Sequence, residues 1–438
     1  MTNRYIPTTL AANVQDRLIF ASRDIFSNLQ NQAVLEFKGK LDKNRLARAV
    51  RLSIDAEPVL GSRFIEKKYH PRWQRFSDLD SMEWFSLEKS RDKQNAIQRF
   101  LTTPLDNKHE QQLRTKLIRS GESDTLCIKI SHACCDGGGL KAYQHMLAGI
   151  YTQLGNDKDF VPEQNAGKRR DLNYLFGKLG IASLIKAWDP RQNPLQPTWA
   201  FPFSSREPEQ QLIAIRRLPG KYFESLSTYA RARGASLNDL ILTAFYRALF
   251  KIVEPPPGQP GEILITMDLR CYFQDGKAGA INNLSSAVTA RVPRVPGESF
   301  GQTLAAVSKS MTQIKGKLPG VHVGVLFGLL SMLNYGQHIH FVRGLKKRLI
   351  QTGRCAPVLS NVGNISRSTL RFGKIAVTDA YQVSPAIHAP GFMLGACGYN
   401  NRITFTVSYY DPGTSREKVE EFMEILLQEL RAVSLSLK

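Results

Sequence analysis

Strand-like and helix-like hydrophobic patterns alternate along the first half of the chain. Apolar and polar residues alternate over positions 33–39, as in a strand with one buried face. Apolar residues then recur at helical spacing over 46–54. A further strand is predicted for 125–132, and the glycines at 137–139 interrupt it before an apolar helical pattern over 140–154. The first half therefore begins as a mixed α/β unit.

The second half restarts the same kind of pattern after a weak stretch. Between about residues 161 and 211 the periodicity fades and prolines accumulate, which is typical of a connection between domains. Ser236 is then a predicted N-cap, because its hydroxyl can accept a hydrogen bond from the first turn of a helix. Strands are predicted at 212–218, 263–270, 286–292 and 402–409, and helices at 222–233, 236–252 and 416–430.

Length and composition fit this two-part pattern. At 438 residues, the chain exceeds the size at which a single hydrophobic core usually stops growing. Its hydrophobic fraction of 42% and charged fraction of 22% are typical of globular proteins. We therefore predict an N-terminal lobe at 1–175, a crossover at 176–210 and a C-terminal lobe at 211–438.

The longest apolar stretch, residues 321–333, is shorter than the roughly 18 residues of a membrane-spanning segment. His322, Gly324 and Gly328 interrupt it, so we predict a buried helix, with a membrane-surface helix as the alternative. The first residues contain no apolar run of signal-peptide length. The six cysteines are scattered and include no CxxC pair, so neither disulfides nor a metal site are expected. We expect a cytoplasmic protein, with peripheral membrane contact left open.

The charge balance predicts an anionic partner. There are 59 Lys and Arg residues against 38 Asp and Glu, a formal net charge of +21, which concentrates acidic molecules near the surface. An acidic carrier protein, the phosphates of coenzyme A, an anionic membrane and nucleic acid all qualify. Nucleic acid is disfavoured because the chain has no recognisable nucleic-acid-binding motif. The densest basic runs, 168–170 and 343–348, are more often solvated helix faces than binding sites.

One short segment combines residue types suited to proton transfer. His132 ends a predicted strand and is followed four positions later by Asp136 and Gly137. A neutral imidazole can accept a proton near neutral pH when a fixed backbone positions its ring. Glycines at 137–139 favour a sharp turn and a close approach of substrate. Cys134 and Cys135 suggest a thiol nucleophile as an alternative, although neighbouring positions on one turn do not readily aim two side chains at one atom.

Residues 131–137, Ser-His-Ala-Cys-Cys-Asp-Gly, resemble the HHxxxDG motif of condensation domains, chloramphenicol acetyltransferases and related stand-alone acyltransferases. Four further stretches resemble segments of these proteins in the same order along the chain: 35–42 with 57–60, 235–242, 268–270 with 281–284, and 359–363. The resemblance implies a mixed α/β fold in which two chloramphenicol-acetyltransferase-like lobes form a V with a central active-site tunnel.

The resemblance also implies roles for individual residues. His132 matches the catalytic second histidine of the motif, and Ser131 stands where many family members have the first. Asp136 matches a structural aspartate that turns inward to a buried arginine, for which Arg270 is our candidate; Gly137 completes the site-shaping set. Residues proposed to contact an oxyanion or the substrate are Ser360, Asn361, Asn283 and Ser131.

The implied reaction is acyl transfer from a thioester of coenzyme A or carrier-bound phosphopantetheine to a hydroxyl or amine acceptor. His132 would act as general base, with no covalent acyl-enzyme and no bound cofactor or metal. Secondary metabolism and lipid biosynthesis are the expected settings, and the protein is expected to be a monomer or dimer. Two alternatives stay open: a catalytically inactive recruitment module, and a basic protein that binds an anionic membrane or nucleic acid.

Overall fold

The computed structural model describes residues 6–23, 25–105, 111–165, 170, 173–187, 197–206, 209–273, 276, 278–316, 318–368 and 370–435. Its strands are β1 (Thr9–Ala11), β2 (Gln30–Phe37), β3 (Ser62–Ile65), β4 (Arg72–Arg75), β5 (Phe85–Lys89), β6 (Leu113–Ser120), β7 (Ser123–Ser131), β8 (Gln210–Leu218), β9 (Pro260–Asp268), β10 (Ser285–Pro293), β11 (Val358–Asn364), β12 (Val377–Val383), β13 (Met393–Tyr399) and β14 (Arg402–Asp411).

The α-helices are α1 (Val14–Ala21), α2 (Lys43–Ala56), α3 (Lys93–Thr102), α4 (Gly137–Asn156), α5 (Asn173–Ala187), α6 (Gly220–Ala232), α7 (Leu237–Val253), α8 (Phe300–Lys315), α9 (Val323–Ser331), α10 (Tyr335–Thr352) and α11 (Arg416–Leu435). Short 3-10 turns cover Pro58–Gly61 and Leu269–Tyr272. Helix starts follow from local chemistry: Asp42 caps α2, and Ser236 with Asp239 forms a capping box at α7.

The first large sheet has five strands in the order β12-β2-β7-β6-β5. All its pairs are antiparallel except β5 with β6. Alternate residues of its strands point to opposite faces, and the two faces bury different cores. One face packs against α2 and α4, and the other packs against α3.

The second large sheet has six strands in the order β10-β9-β11-β13-β14-β8. Its outer face buries the largest apolar side chains of α7 and α11, with α6 and α8 alongside. Its opposite face contributes Ile213, Ile215 and Cys397 to the core that also contains α3 and β12. The two sheets therefore approach each other across a shared apolar layer. A small sheet, β1-β4-β3, lies outside both.

The predicted fold class is confirmed, because both halves are mixed α/β units built on a sheet. The predicted domain boundaries at 1–175, 176–210 and 211–438 stay a prediction. One strand of the predicted C-terminal lobe belongs to the sheet of the N-terminal lobe. Strand β12 pairs with β2 of the first sheet although it lies near the C-terminus of the chain. Residues 188–196 of the predicted crossover lie outside the described residues, whereas α5 covers its beginning.

Two local predictions are wrong. Residues 321–333 were expected to form a buried helix, but α9 exposes Leu326, Leu329 and Met332. The glycines at 137–139 were expected to form a turn before a helix beginning at Leu140, but they are the first turn of α4 and none has a positive φ. In the described part of the chain, every helix is too short or too polar to cross a membrane.

Candidate active site

The turn that carries His132 follows directly on strand β7. The His132 N–H donates to the Leu29 carbonyl at 2.7 Å, which continues the pairing of β7 with β2 one residue beyond the strand. The Cys134 N–H then donates back to the Ser131 carbonyl at 2.9 Å and closes a tight turn. His132 is the half-buried member of an otherwise buried run. These backbone hydrogen bonds therefore hold His132 in a fixed position at the end of the strand.

Every carbonyl from His132 to Cys135 accepts a hydrogen bond from a side chain elsewhere in the chain. The amide of Asn283 donates to the His132 and Ala133 carbonyls at 3.0 and 3.2 Å. The guanidinium of Arg170 donates to the Cys134 carbonyl at 2.8 Å, and the amide of Asn31 donates to the Cys135 carbonyl at 2.8 Å. These bonds satisfy buried backbone groups and fix the position of the imidazole.

Asp136 ends the turn and joins three parts of the molecule. It is the N-cap of α4, where its Oδ1 accepts a bond from the Gly139 N–H at 2.7 Å. Its Oδ2 accepts a bond from the Leu284 N–H at 2.7 Å. Both oxygens accept from Arg270 in a bidentate pair, at 2.9 and 3.0 Å. The carboxylate thus connects the first turn of α4 to the start of the second sheet.

Both terminal nitrogens of the Arg270 guanidinium are also hydrogen-bonded. Besides Asp136, it donates to the Asn282 carbonyl and side-chain oxygen, at 3.0 and 3.1 Å, and to Asp268 at 3.0 Å. Burial would lower its pKa, but the two carboxylates raise it, so the guanidinium stays charged. Burial alone would raise the pKa of Asp136; the charge and hydrogen bonds of Arg270, with two backbone N–H groups, hold it below its ordinary value. The pair is therefore ionised in the folded protein.

The approach of Arg270 explains why α4 begins with glycine. A Cβ atom on Gly138 would lie 2.6 Å from Arg270 Nη1, an atom that cannot move without breaking its bonds to Asp136 and Asp268. A Cβ on Gly137 would meet the Val362 side chain at 2.6 Å. These glycines are thus required by close packing rather than by an unusual backbone conformation.

Gly138→Ala is expected to lower the free energy of unfolding by about 1–3 kcal/mol, because the added methyl group must displace a buried, fully bonded arginine. Gly149→Ala, in the interior of the same helix, is the matched control, since a Cβ there meets nothing within 4 Å. We expect the control to be stabilising by up to about 1 kcal/mol. Urea unfolding of both variants tests this prediction, which fails if the two substitutions have the same effect.

His132 lines a cavity of about 280 Å³ to which both large sheets contribute residues. The first sheet contributes Asn31 and Gln382, while the second contributes Thr266, Ser360 and Ala396. The Nδ1 atom of His132 is enclosed and has no hydrogen-bond partner among the described residues. Nε2 is consequently the ring nitrogen that remains available to a substrate.

A family model for the condensation domain matches residues 11–254, more than half of the chain. The chain belongs to the condensation-domain family. This match includes His132, Asp136 and the whole of the five-stranded sheet except β12. No curated protein matches the chain in sequence.

Solved structures of a condensation domain, an acetyltransferase and a polyketide synthase associated protein have the same fold over nearly the full chain. The first condensation domain of the CDA synthetase is 16% identical, with coverage of 99% of this chain and 97% of that one and a TM-score of 0.70. TRI3 trichothecene 15-O-acetyltransferase from Fusarium sporotrichioides is 10% identical, with coverage of 97% and 95% and a TM-score of 0.73. Polyketide synthase associated protein 5 from Mycobacterium tuberculosis is 14% identical, with coverage of 96% and 98% and a TM-score of 0.65.

The structure of this condensation-domain protein brings together only some of the residues proposed from sequence. Ser360 and Asn361 lie on β11 and line the same cavity as His132. Asn283 and Ser131 are not among the residues that line it. Asn283 instead holds the His132 backbone, and the Ser131 side chain is fully buried.

The thiol alternative is not supported by the surroundings of the two cysteines. Cys134 and Cys135 are both fully buried, and neither lines the cavity. Burial raises the pKa of both thiols well above the ordinary value, with nearby Asp136 adding to the effect at Cys135. A thiolate nucleophile needs the opposite environment.

Sequence reasoning missed a second buried ion pair behind the turn. Asp16 on α1 is fully buried and accepts bonds from the Trp73 indole at 2.9 Å and from Arg170 at 3.3 Å. Burial raises the Asp16 pKa, although the charge of Arg170 opposes this shift. Arg170 belongs to a basic run that was expected to be solvated; its neighbours 168 and 169 lie outside the described residues. The only sequence signal was an arginine beside other basic residues, which does not distinguish the two cases.

Proposed function

We propose that the protein is an acyltransferase that moves an acyl group from a thioester to a hydroxyl or amine acceptor, with His132 as the general base. The observation that carries this proposal is the placement of His132: it lines a cavity between the two sheets, on a turn whose backbone is bonded at every carbonyl. Membership of the condensation-domain family and the acetyltransferase named among the similar structures support acyl transfer as the type of reaction.

In the proposed reaction the acceptor oxygen or nitrogen attacks the thioester carbonyl carbon. His132 Nε2 removes the acceptor proton as the new bond forms, which typically accelerates such a step by about 10²–10⁴-fold. The tetrahedral intermediate then collapses, the carbon–sulfur bond breaks, and the imidazolium returns the proton to the leaving thiolate. Atoms and charge balance without any covalent acyl-enzyme.

The negative charge on the tetrahedral oxygen requires a hydrogen-bond donor, and Ser360 is the better placed of the two β11 candidates. Its Oγ accepts a bond from Thr266 at 3.5 Å, which leaves its own proton free to be donated. Asn361 already donates to Asn238 of α7 at 3.0 Å and accepts from the Gly363 N–H of its own strand at 3.0 Å, so both ends of its amide are engaged. One such donor is worth several kcal/mol in an enclosed site, roughly 3 by analogy with other oxyanion holes.

The thioester donor is proposed to be coenzyme A or the phosphopantetheine of an acidic acyl carrier protein. The net charge of +21 favours both, because each presents phosphate or carboxylate groups. The acceptor is left at the level of chemical class. A cytoplasmic location remains a prediction.

The experiment that tests the proposal is a thiol-release assay with the purified full chain. A panel of acyl thioesters, as coenzyme A esters and as carrier-bound forms, is mixed with pooled alcohols and amines, and new esters and amides are identified by mass spectrometry. We expect thiol release that depends on both enzyme and acceptor. An inactive recruitment module would instead bind donors without releasing thiol above the enzyme-free rate, and that result would contradict the proposal.

A further inference from the structure

Helix α9 exposes an apolar face that the fold does not cover. Leu326, Leu329 and Met332 are 42%, 62% and 81% exposed, and they lie on the outer side of the helix with Gly328. Large apolar side chains clustered on a surface usually mark an interaction site, because isolated exposure is common but contiguous exposure is not. The segment 321–333 contains no Lys, Arg, Asp or Glu.

The inner side of α9 is firmly attached to the protein. Val321 and Leu330 are buried, and Val321 packs in a small core with Leu269 and Leu284, which flank Arg270 and Ser285. His338 of α10 bonds through Nε2 to the Leu330 carbonyl at 2.8 Å, which joins α9 and α10 into a hairpin. These contacts fix the orientation of α9, so that its apolar face stays exposed to solvent.

The charged residues in the sequence of this hairpin and its flanks are of one sign. Residues 299–378 contain no Asp or Glu, and eleven of them are Lys or Arg: Lys309, Lys315, Lys317, Arg343, Lys346, Lys347, Arg348, Arg354, Arg367, Arg371 and Lys374. This stretch therefore carries about half of the net charge of the chain. Four of these cations lie on α10, immediately after the apolar helix.

Helix α10 also pairs apolar and basic groups on its own surface. Ile350, which is 50% exposed, and Ile25 form a shallow depression of about 310 Å³ that Arg343, Lys346 and Lys347 surround. An apolar floor with cations at its rim suits an acyl chain whose headgroup is anionic.

Helix α10 contacts segments that also contribute to the lining of the catalytic cavity. Lys346 donates to the Ala389 carbonyl, and its ammonium lies 5.5 Å from the centre of the Phe26 ring. Ser27 and Ile387, one and two residues away from these contacts, line the cavity with His132. Helix α10 is therefore close to the catalytic cavity.

We propose that the α9–α10 hairpin docks the protein on an anionic membrane surface. Helix α9 inserts its apolar face at the boundary between headgroups and acyl chains, while Arg343, Lys347 and Arg348, the exposed cations of α10, bind the acidic headgroups. Two such signals together are what stable peripheral binding requires. An acidic carrier protein would need the cations but would leave the uncharged face of α9 uncovered, so the combination favours a membrane. This docking does not depend on the proposed acyl transfer.

Vesicle co-sedimentation of the full chain tests the proposal. Vesicles of phosphatidylcholine with 30% phosphatidylglycerol are compared with vesicles of phosphatidylcholine alone. We expect the wild-type protein to partition at least about tenfold more strongly onto the anionic vesicles, and high salt to remove the difference. Leu329→Ser with Met332→Ser, and separately Lys347→Glu with Arg348→Glu, are each expected to reduce partitioning at least about tenfold.

Matched controls separate this surface from general apolarity and charge. Val161→Ser with Val295→Ser changes two exposed apolar residues elsewhere, and Arg63→Glu with Lys89→Glu changes two other exposed cations. Both controls should retain at least half of the wild-type partitioning. Thermal unfolding checks that all variants fold, and thiol release in a vesicle-free assay with soluble substrates should be unchanged in the α9 variant.

The proposal is overturned if wild-type protein does not bind anionic vesicles, or if both hairpin variants bind as well as the controls do. It is equally overturned if light scattering shows a wild-type dimer that the α9 substitutions dissociate while vesicle binding is absent, because the face would then join two copies of the chain. None of these outcomes bears on whether the cavity transfers acyl groups, which the thiol-release assay decides separately.

Discussion

Asp136→Asn is expected to lower the free energy of unfolding at neutral pH by about 3–5 kcal/mol. Asparagine is also a good N-cap, so the start of α4 keeps its capping residue. What is lost is the negative charge that faces Arg270, a residue that is 8% exposed. A buried cation whose main counter-ion has gone is costly, and this accounts for most of the expected effect.

Asp268→Asn is the matched control for this experiment. Asp268 pairs with the same arginine at 3.0 Å, but its side chain is 51% exposed. Water screens such a pair, so we expect a loss below about 1 kcal/mol. Urea denaturation of both variants makes the comparison. Equal losses would show that Asp136 does not carry the charge interaction assigned to it.

The pH dependence of the Asp136→Asn effect follows from the lowered pKa of Asp136. A carboxyl group whose pKa is lower in the folded state stabilises the fold fully above its unfolded pKa, which is about 3.9. That stabilisation is lost as the pH falls through the folded-state pKa. The difference in the free energy of unfolding between wild type and Asp136→Asn should therefore be largest near neutral pH and should shrink below about pH 4.

Arg270→Lys should also destabilise the protein, because an ammonium cannot form the bidentate pair.

His132→Ala is expected to reduce the rate of acceptor-dependent thiol release by about 10²–10⁴-fold, the usual contribution of a general base. Its effect on stability should be small, within about 1 kcal/mol, because the side chain is half-buried and its Nδ1 has no protein partner among the described residues. His70→Ala, at an exposed position, is the control and should retain the wild-type rate. Rates from the spectroscopic thiol assay, with thermal unfolding alongside, measure both effects.

Hydrophobic periodicity placed some of the strands and helices, but it predicted no element at β3–β6, α3, α8 or α10. The spacing over 46–54 predicted α2, and the capping residue Ser236 predicted α7. The ends of both helices were predicted to within a few residues, because local chemistry determines where these helices begin. The place of β12 in the fold could not be predicted from its local sequence. It pairs with β2, more than 300 positions away, and only the three-dimensional fold determines that pairing.

Helix α9 shows why apolarity alone was misleading. A helix that is apolar on all sides is normally buried, so the pattern over 321–333 predicted burial. The fold covers only one side of it, and the sequence of the helix contains nothing that distinguishes the covered side from the exposed one.

The candidate site was predictable in part. The motif identified His132 and Asp136, but Arg270 came from the resemblance, since no spacing rule links residues 134 positions apart. The bonds from Arg170 and Asn31 to the turn are long-range contacts of the same kind. Asn283 was proposed as a substrate contact and instead positions the backbone of His132, because its amide points to the turn rather than to the cavity.

Side-by-side turnover of wild type and His132→Ala with one competent thioester and acceptor tests the central claim most directly. Product is followed by mass spectrometry, and the intact protein mass is recorded during the first turnover. We expect product from the wild type, a loss of at least about 10²-fold in the variant, and a protein mass that never increases by an acyl group. Equal turnover by His132→Ala, or a transient acylated protein on the reaction path, would contradict the account.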